Sequence, residues 1–260
     1  MAQREEKGDA QEGKGKEEII KTKNFIEDFE KLLATILRSE DFNEERVAIA
    51  KDFVQAIEKS TKAAANAFHE LSSEFQKDRA DTKKIIKKYK QSIGDQNTIR
   101  QQAEERVETL GKAPINQKDP YATDIIRFSN EIQPIEQAIL AEENQDREQL
   151  QELMTIAETR ENKSRTIERN IKNIKNLLKK KPILPETIAI RTQVEEIKIA
   201  LDDILTETQA MESLLKRRKE LSQGIINLEG KLGDLIEQQI RQIQASEAHL
   251  AELQRRGAAA

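Results

Sequence analysis

Apolar residues recur at alternating steps of three and four along most of this chain. From Val47 the step picks out Ala50, Val54, Ile57, Thr61, Ala64, Phe68, Leu71, Phe75, Asp78, Thr82, Ile85, Tyr89 and Ser92. That 3.5-residue period is the seam of a coiled coil. A second run passes through Leu150, Leu153, Ala157, Arg160, Ser164, Ile167, Ile171, Ile174 and Leu178, with Arg160 and Ser164 as polar interruptions. A third holds Ile190, Val194, Ile197, Leu201 and Ile204, reads as slipping register near Met211–Leu215, and resumes at Leu221, Ile225, Leu228, Leu232 and Leu235. A shorter stripe comes first: Ile19, Ile26, Phe29, Leu33 and Ile36.

Stop signals divide these runs. Asp41 and Glu44 have capping-box spacing. Gly111 suits a helix C-cap, Pro114 blocks continuation, and Asp119-Pro120 is an N-cap followed by proline at the first helical position. Pro182 and Pro185 bound a tight turn. The predicted helices are 17–39, 42–110, 120–181 and 185–256. Residues 1–16, polar and carrying Gly8, Gly13 and Gly15, are expected to be a disordered tail. Residues 257–260 read as a frayed end or a cloning remnant, which leaves 17–256 as a single elongated domain.

Short turns between long helices make neighbours antiparallel. With turns centred near residues 116 and 183, the basic block 77–90 falls opposite acidic 143–156. In the same register the basic stretch 163–181 falls opposite acidic 186–204, and Arg160 opposite Glu207. The same folding brings Gly94, Pro134 and Gly233 to one level, a place for a shared kink. The expected fold is therefore all-α: an elongated antiparallel coiled-coil bundle of three long helices plus a short N-terminal helix.

Composition narrows the function classes. The 260 residues include no Cys and no Trp, with 35% charged and 3% aromatic. Disulfide frameworks and thiolate metal sites are excluded. No apolar run reaches the 18 or so residues of a membrane span. The start Met-Ala-Gln-Arg-Glu-Glu-Lys lacks a secretory pattern, so a cytoplasmic location is expected, with a peripheral membrane one as the variant. With 44 Lys+Arg against 48 Asp+Glu the net charge is −4, so nucleic acid is not an expected partner. His69 and His249 are the two histidines, and neither follows a Glu at metal-ligand spacing. No phosphate-binding glycine motif occurs. No catalytic residue, cofactor or metal is predicted, and the chain is not expected to be an enzyme.

A short first helix, three long antiparallel helices with a shared weak level, and the turn Lys118-Asp119-Pro120 resemble a BAR or F-BAR domain over residues 17–256. The resemblance implies a crescent that meets anionic membrane through lysines. In this chain those would be Lys83, Lys84, Lys87, Lys88, Lys172 and Lys175. The net acidic charge and the sparse aromatics depart from that pattern. The first expectation is instead a coiled-coil scaffold that oligomerises or packs on partner helices. Its candidate interface is the stripe Ile19, Ile26, Phe29, Leu33 and Ile36.

Overall fold

The computed structural model describes residues 2–38, 44–111, 119–179 and 184–258, with side chains at 7–35, 44–109, 119–179 and 186–256. The capping box at 39–44, apart from Glu44, and the turn residues 112–118 and 180–183 lie outside the described residues. Those described form four helices and no strand: α1 (Ala2–Arg38), α2 (Glu44–Gly111), α3 (Ala122–Leu177) and α4 (Leu184–Ala258). The fold is an all-α bundle. The helix α3 begins two residues later than Asp119-Pro120 predicts, at Ala122, with Tyr121 O accepting from Ile125 N; Asp119 Oδ1 accepts from the backbone N of Tyr121 at 3.0 Å in the turn ahead of it.

The chain divides into two compact units. Unit 1 comprises Met1–Arg79 and Gln149–Arg217; unit 2 comprises Ala80–Glu148 and Arg218–Ala260. These divisions do not coincide with the level of Gly94, Pro134 and Gly233, and the three helices run on through those residues.

The antiparallel register holds inside each unit. In unit 1, Lys175 pairs with Glu58 and His69 with Glu161; in unit 2, Thr82 bonds Asp146 and Asn97 bonds Gln133. Between α3 and α4, Lys163 meets Asp203 and Glu207, Asn170 meets Glu196, and Ser129 meets Gln239. Each of these pairs lies near the partner that the predicted turns assign.

Unit 1 is a four-helix bundle because α1 packs in it. The first sixteen residues are not a tail: α1 starts at Ala2. The buried positions Gly8, Glu12, Gly15, Ile19, Thr22, Ile26, Phe29 and Leu33 keep one three-four stripe. Its early positions are small or charged because their neighbours are large. Gly8 lies against Leu71 and Phe75, Gly15 against Phe68, and Glu12 against Arg160. Composition alone misses this, since the stripe carries few apolar atoms where it meets aromatic rings.

That packing makes a signed prediction. A methyl group at residue 15 would stand 2.5 Å from Cε1 of Phe68, whereas one at residue 13 meets nothing within 4 Å. Phe68 is fully buried under the Arg160 guanidinium, 4.4 Å above its ring centre, so it has little room to yield. Gly15→Ala should therefore lose about 1–3 kcal/mol by overpacking, more than the helix propensity it gains. Gly13→Ala should gain about 0.5–1 kcal/mol. Urea denaturation of the two variants checks the opposite signs.

The α4 seam does not slip. Ile190, Ile197, Ile204, Met211, Arg218, Ile225, Leu232, Gln239 and Ser246 form one unbroken heptad column, and every member is buried. The apparent slip was a polar residue, Arg218, standing in the column. In α3 the column Ala122, Ser129, Glu136, Glu143, Leu150, Ala157, Ser164, Ile171 and Leu178 is likewise buried throughout. Apolar clusters fill the rest: Ile26, Phe29, Ile57, Phe68, Ile171 and Ile197 are among those in unit 1, and Phe128, Ile132, Ile139, Ile225 and Leu232 form one in unit 2.

Candidate functional site

The predicted oligomer stripe is consumed within the chain. Ile19, Ile26 and Phe29 are at most 1% exposed and Leu33 is 7% exposed, packed with α2, α3 and α4 in the core of unit 1. A stripe that matches three facing helices of its own chain has no area left for a partner. Ile36 belongs to α1, but its side chain lies outside the described ones.

The six candidate lysines are all exposed, and the units separate them. Lys83, Lys84, Lys87 and Lys88 belong to unit 2, Lys172 and Lys175 to unit 1. Lys84 is paired with Asp81 at 2.9 Å on its own helix, and Lys175 with Glu58 at 2.8 Å. Lys83, Lys87, Lys88 and Lys172 make no ion pair among the described residues. The expected neutralisation of 77–90 by 143–156 is not what these side chains do. Asp146 turns inward to Arg218, and Glu143 is buried. Likewise Glu207 pairs with Lys163, not with Arg160.

Polar layers inside the seams are what the sequence reading missed. In unit 1, Arg160 is fully buried; Nη1 donates to Glu12 Oε1 at 2.6 Å and to Thr208 Oγ1 at 2.7 Å, and Nη2 meets Glu12 Oε2. In unit 2, Arg218 Nε donates to Asp146 Oδ1 at 2.7 Å, and Thr82 Oγ1 donates to Asp146 Oδ2 at 3.2 Å. Gln96, Ser129 and Gln239 form a third layer, joined by bonds of 2.8–3.4 Å.

Between these layers stand two carboxyls on the α3 column. Glu143 is fully buried and neither of its oxygens has a hydrogen-bond partner. Burial first, then the negative charges of Asp146 and Glu229, push its pKa up to about 7, against the opposing pull of Arg218. Glu136 is raised by burial as well, although Ser92 donates to it. Tyr89, burdened by burial and by its bond to Glu229, is held in the protonated form. Among the described residues, no three His, Cys, Asp or Glu side chains converge to hold a metal ion. The layers are internal, and their evident work is to fix which residues face each other.

One accessible feature is a groove in unit 2 among α2, α3 and α4. Ile99, Ala103 and Arg106 line it from α2, Ile243 and Glu247 from α4, and Ile125 from α3, around a cavity of about 70 Å³. Elsewhere on α4 in unit 2, Ile226 is 54% and Ile240 46% exposed, with Gly230 and Gly233 between them. Ile188 and Ile199 are exposed on α4 in unit 1. Sequence reading passes over these positions because they lie off the buried seam, where single apolar residues carry no periodic signal.

Comparison with protein-family models, with curated proteins and with solved structures returned no match. No helix among the described residues is long and apolar enough to cross a membrane.

Proposed function

We propose that this chain is a non-enzymatic helical scaffold that associates with helices, its own or a partner's, through apolar positions left outside its core. The observation that carries this reading is α4, an otherwise polar outer surface bearing the exposed Ile188, Ile199, Ile226 and Ile240. Scattered exposed apolar residues are ordinary. Ile240, however, lies one turn of α4 from Ile243 on the wall of an open groove, and it is that placement which supports association.

The test is to replace all four isoleucines by serine. Side chains outside the core change folding stability little, within about 0.5 kcal/mol each. The urea midpoint should therefore move only slightly, while self-association or partner binding, read by sedimentation velocity, falls. A large loss of stability with association unchanged would return the isoleucines to the fold and defeat the reading.

A second reading is the BAR-like one, a peripheral binder of anionic membrane. It is favoured by Lys83, Lys87 and Lys88, exposed and without an ion pair among the described residues. Each such cation contributes about 1 kcal/mol near an anionic surface. On this reading the chain co-sediments with phosphatidylserine vesicles at low salt, and Glu at those three positions abolishes it. Absence of binding at low salt would sink it.

A further inference from the structure

In unit 1 the position between α2 and α4 is filled by α1; in unit 2 no described helix fills it. On α1's α2 side, Thr22 and Glu18 bond Ser60, and Gly15 seats Phe68. On its α4 side, Lys16 pairs with Glu212, Lys23 with Asp202 and Glu30 with Lys198. Lys198, Leu205 and Glu212 are one heptad column of α4, and Leu205 packs on the core that α1 helps to build. Continued at the same step, that column reads Lys219, Ile226, Gly233, Ile240 and Glu247. Asp202, which also meets α1, starts a neighbouring column that continues through Gly230. The face of α4 that carries a helix in unit 1 thus has a counterpart in unit 2 with two exposed isoleucines and no described helix on it.

The order of residues in this column selects the occupant. Read about Gly233, it is complementary to its own reverse: lysine, isoleucine, glycine, isoleucine, glutamate. Two copies laid antiparallel put Ile226 of one against Ile240 of the other on both sides of the centre. The same arrangement sets Lys219 against Glu247 at each end. Both are exposed, and neither makes an ion pair among the described residues. Gly233 falls on the two-fold axis, where a methyl group would meet nothing of its own chain within 4 Å, so the backbones can approach closely there. A parallel arrangement would instead set lysine on lysine and glutamate on glutamate, which opposes it.

We propose that the chain forms a two-fold symmetric dimer through antiparallel α4–α4 pairing in unit 2, centred on Gly233, the second copy covering the groove that α1 covers in unit 1. This rests on the scaffold reading and names its partner. The interface is isologous, since the same patch serves on both subunits, and the paired column spans about 42 Å of helix at 1.5 Å per residue.

The chain has no cysteine, so single cysteines report the geometry cleanly. Under mild oxidation of the full chain, Gly233→Cys should yield a covalent dimer. A mixture of Ile226→Cys and Ile240→Cys chains should cross-link to each other, and Ile49→Cys, 41% exposed on α2, should not link. In sedimentation equilibrium, Lys219→Glu should weaken the dimer about tenfold or more, and adding Glu247→Lys should restore it. Neither substitution touches the core, so helical content stays unchanged in both. A monomer at every concentration overturns the proposal. So does Gly233→Cys linking no faster than Ile49→Cys. A dimer that ignores the charge swap but is lost with the four isoleucines overturns the α4 pairing while leaving the scaffold reading in place.

Discussion

Replacing Glu12 by Ala should destabilise unit 1 by about 3–5 kcal/mol, although Glu12 lies in a segment whose composition reads as a tail. Its partner Arg160 is fully buried, and Glu12 itself is 4% exposed. The guanidinium receives both carboxylate oxygens of Glu12, the Thr208 hydroxyl and the face of Phe68. Removing the carboxylate leaves a cation in an apolar core with no counter-charge. That is far costlier than losing an exposed pair, worth about 0–1 kcal/mol. Arg160→Met alone should also be costly, because it strands Glu12. The double variant Glu12→Met with Arg160→Met should recover most of the loss, since well-packed apolar residues replace a buried pair at little or no cost. Urea denaturation gives the cycle, and amide exchange resolved along the chain should place the loss in unit 1. A single-variant loss below about 1 kcal/mol would mean that Arg160 reaches water and is not held as described.

The pair also shows what sequence can and cannot carry. The long helices, their antiparallel order and the α3–α4 register were legible because apolar residues mark a seam wherever they occupy it. Where a polar residue stands in the seam, the same rule reports an ending. Thus the apolar seam of α3 is traced only from Leu150, within a helix predicted from 120, although its buried column begins at Ala122, and α4 reads as slipping where Arg218 continues the column. Arg160 was recognised as an interruption, yet its partner came from α1, outside the hairpin arithmetic that pointed to Glu207. Charge matching at the level of blocks was likewise too coarse. It identified acidic 143–156 opposite basic 77–90, but Glu143 and Asp146 face inward by their heptad positions while the lysines face out. The groove was not legible at all. It lies in the unit to which α1 does not belong, and it is lined by residues of three helices at once.

Arg218→Met should cost unit 2 about 3–5 kcal/mol at pH 8 and distinctly less at pH 5. Arg218 is 4% exposed and Asp146 3% exposed, and the cation is the opposing charge for both Asp146 and Glu143. Without it Glu143, which already meets the negative charges of Asp146 and Glu229, loses the opposing pull of Arg218. Protonation of Glu143 then becomes the route to neutrality, so acid relieves the variant. In the native chain Glu143 already shows this behaviour in milder form. Its folded pKa, raised to about 7 from an ordinary 4.5, means that the fold prefers the neutral carboxyl. Its contribution is therefore full below about pH 4.5 and is lost as pH rises to 7, by about 2–3 kcal/mol at most. Glu143→Gln keeps the shape without the charge. Between pH 5 and 8 it should flatten that share of the pH profile, and it should be more stable than the native chain at pH 8. Raised stability at pH 8 together with an unchanged value at pH 4 would fix the carboxyl as the titrating group. Equal stabilities at both would mean that Glu143 finds water or a cation in solution. The wider consequence is that the polar layers are not equivalent. The Gln96, Ser129 and Gln239 layer is neutral and indifferent to pH, whereas the Arg218 layer holds its register only while one cation balances the acids around it.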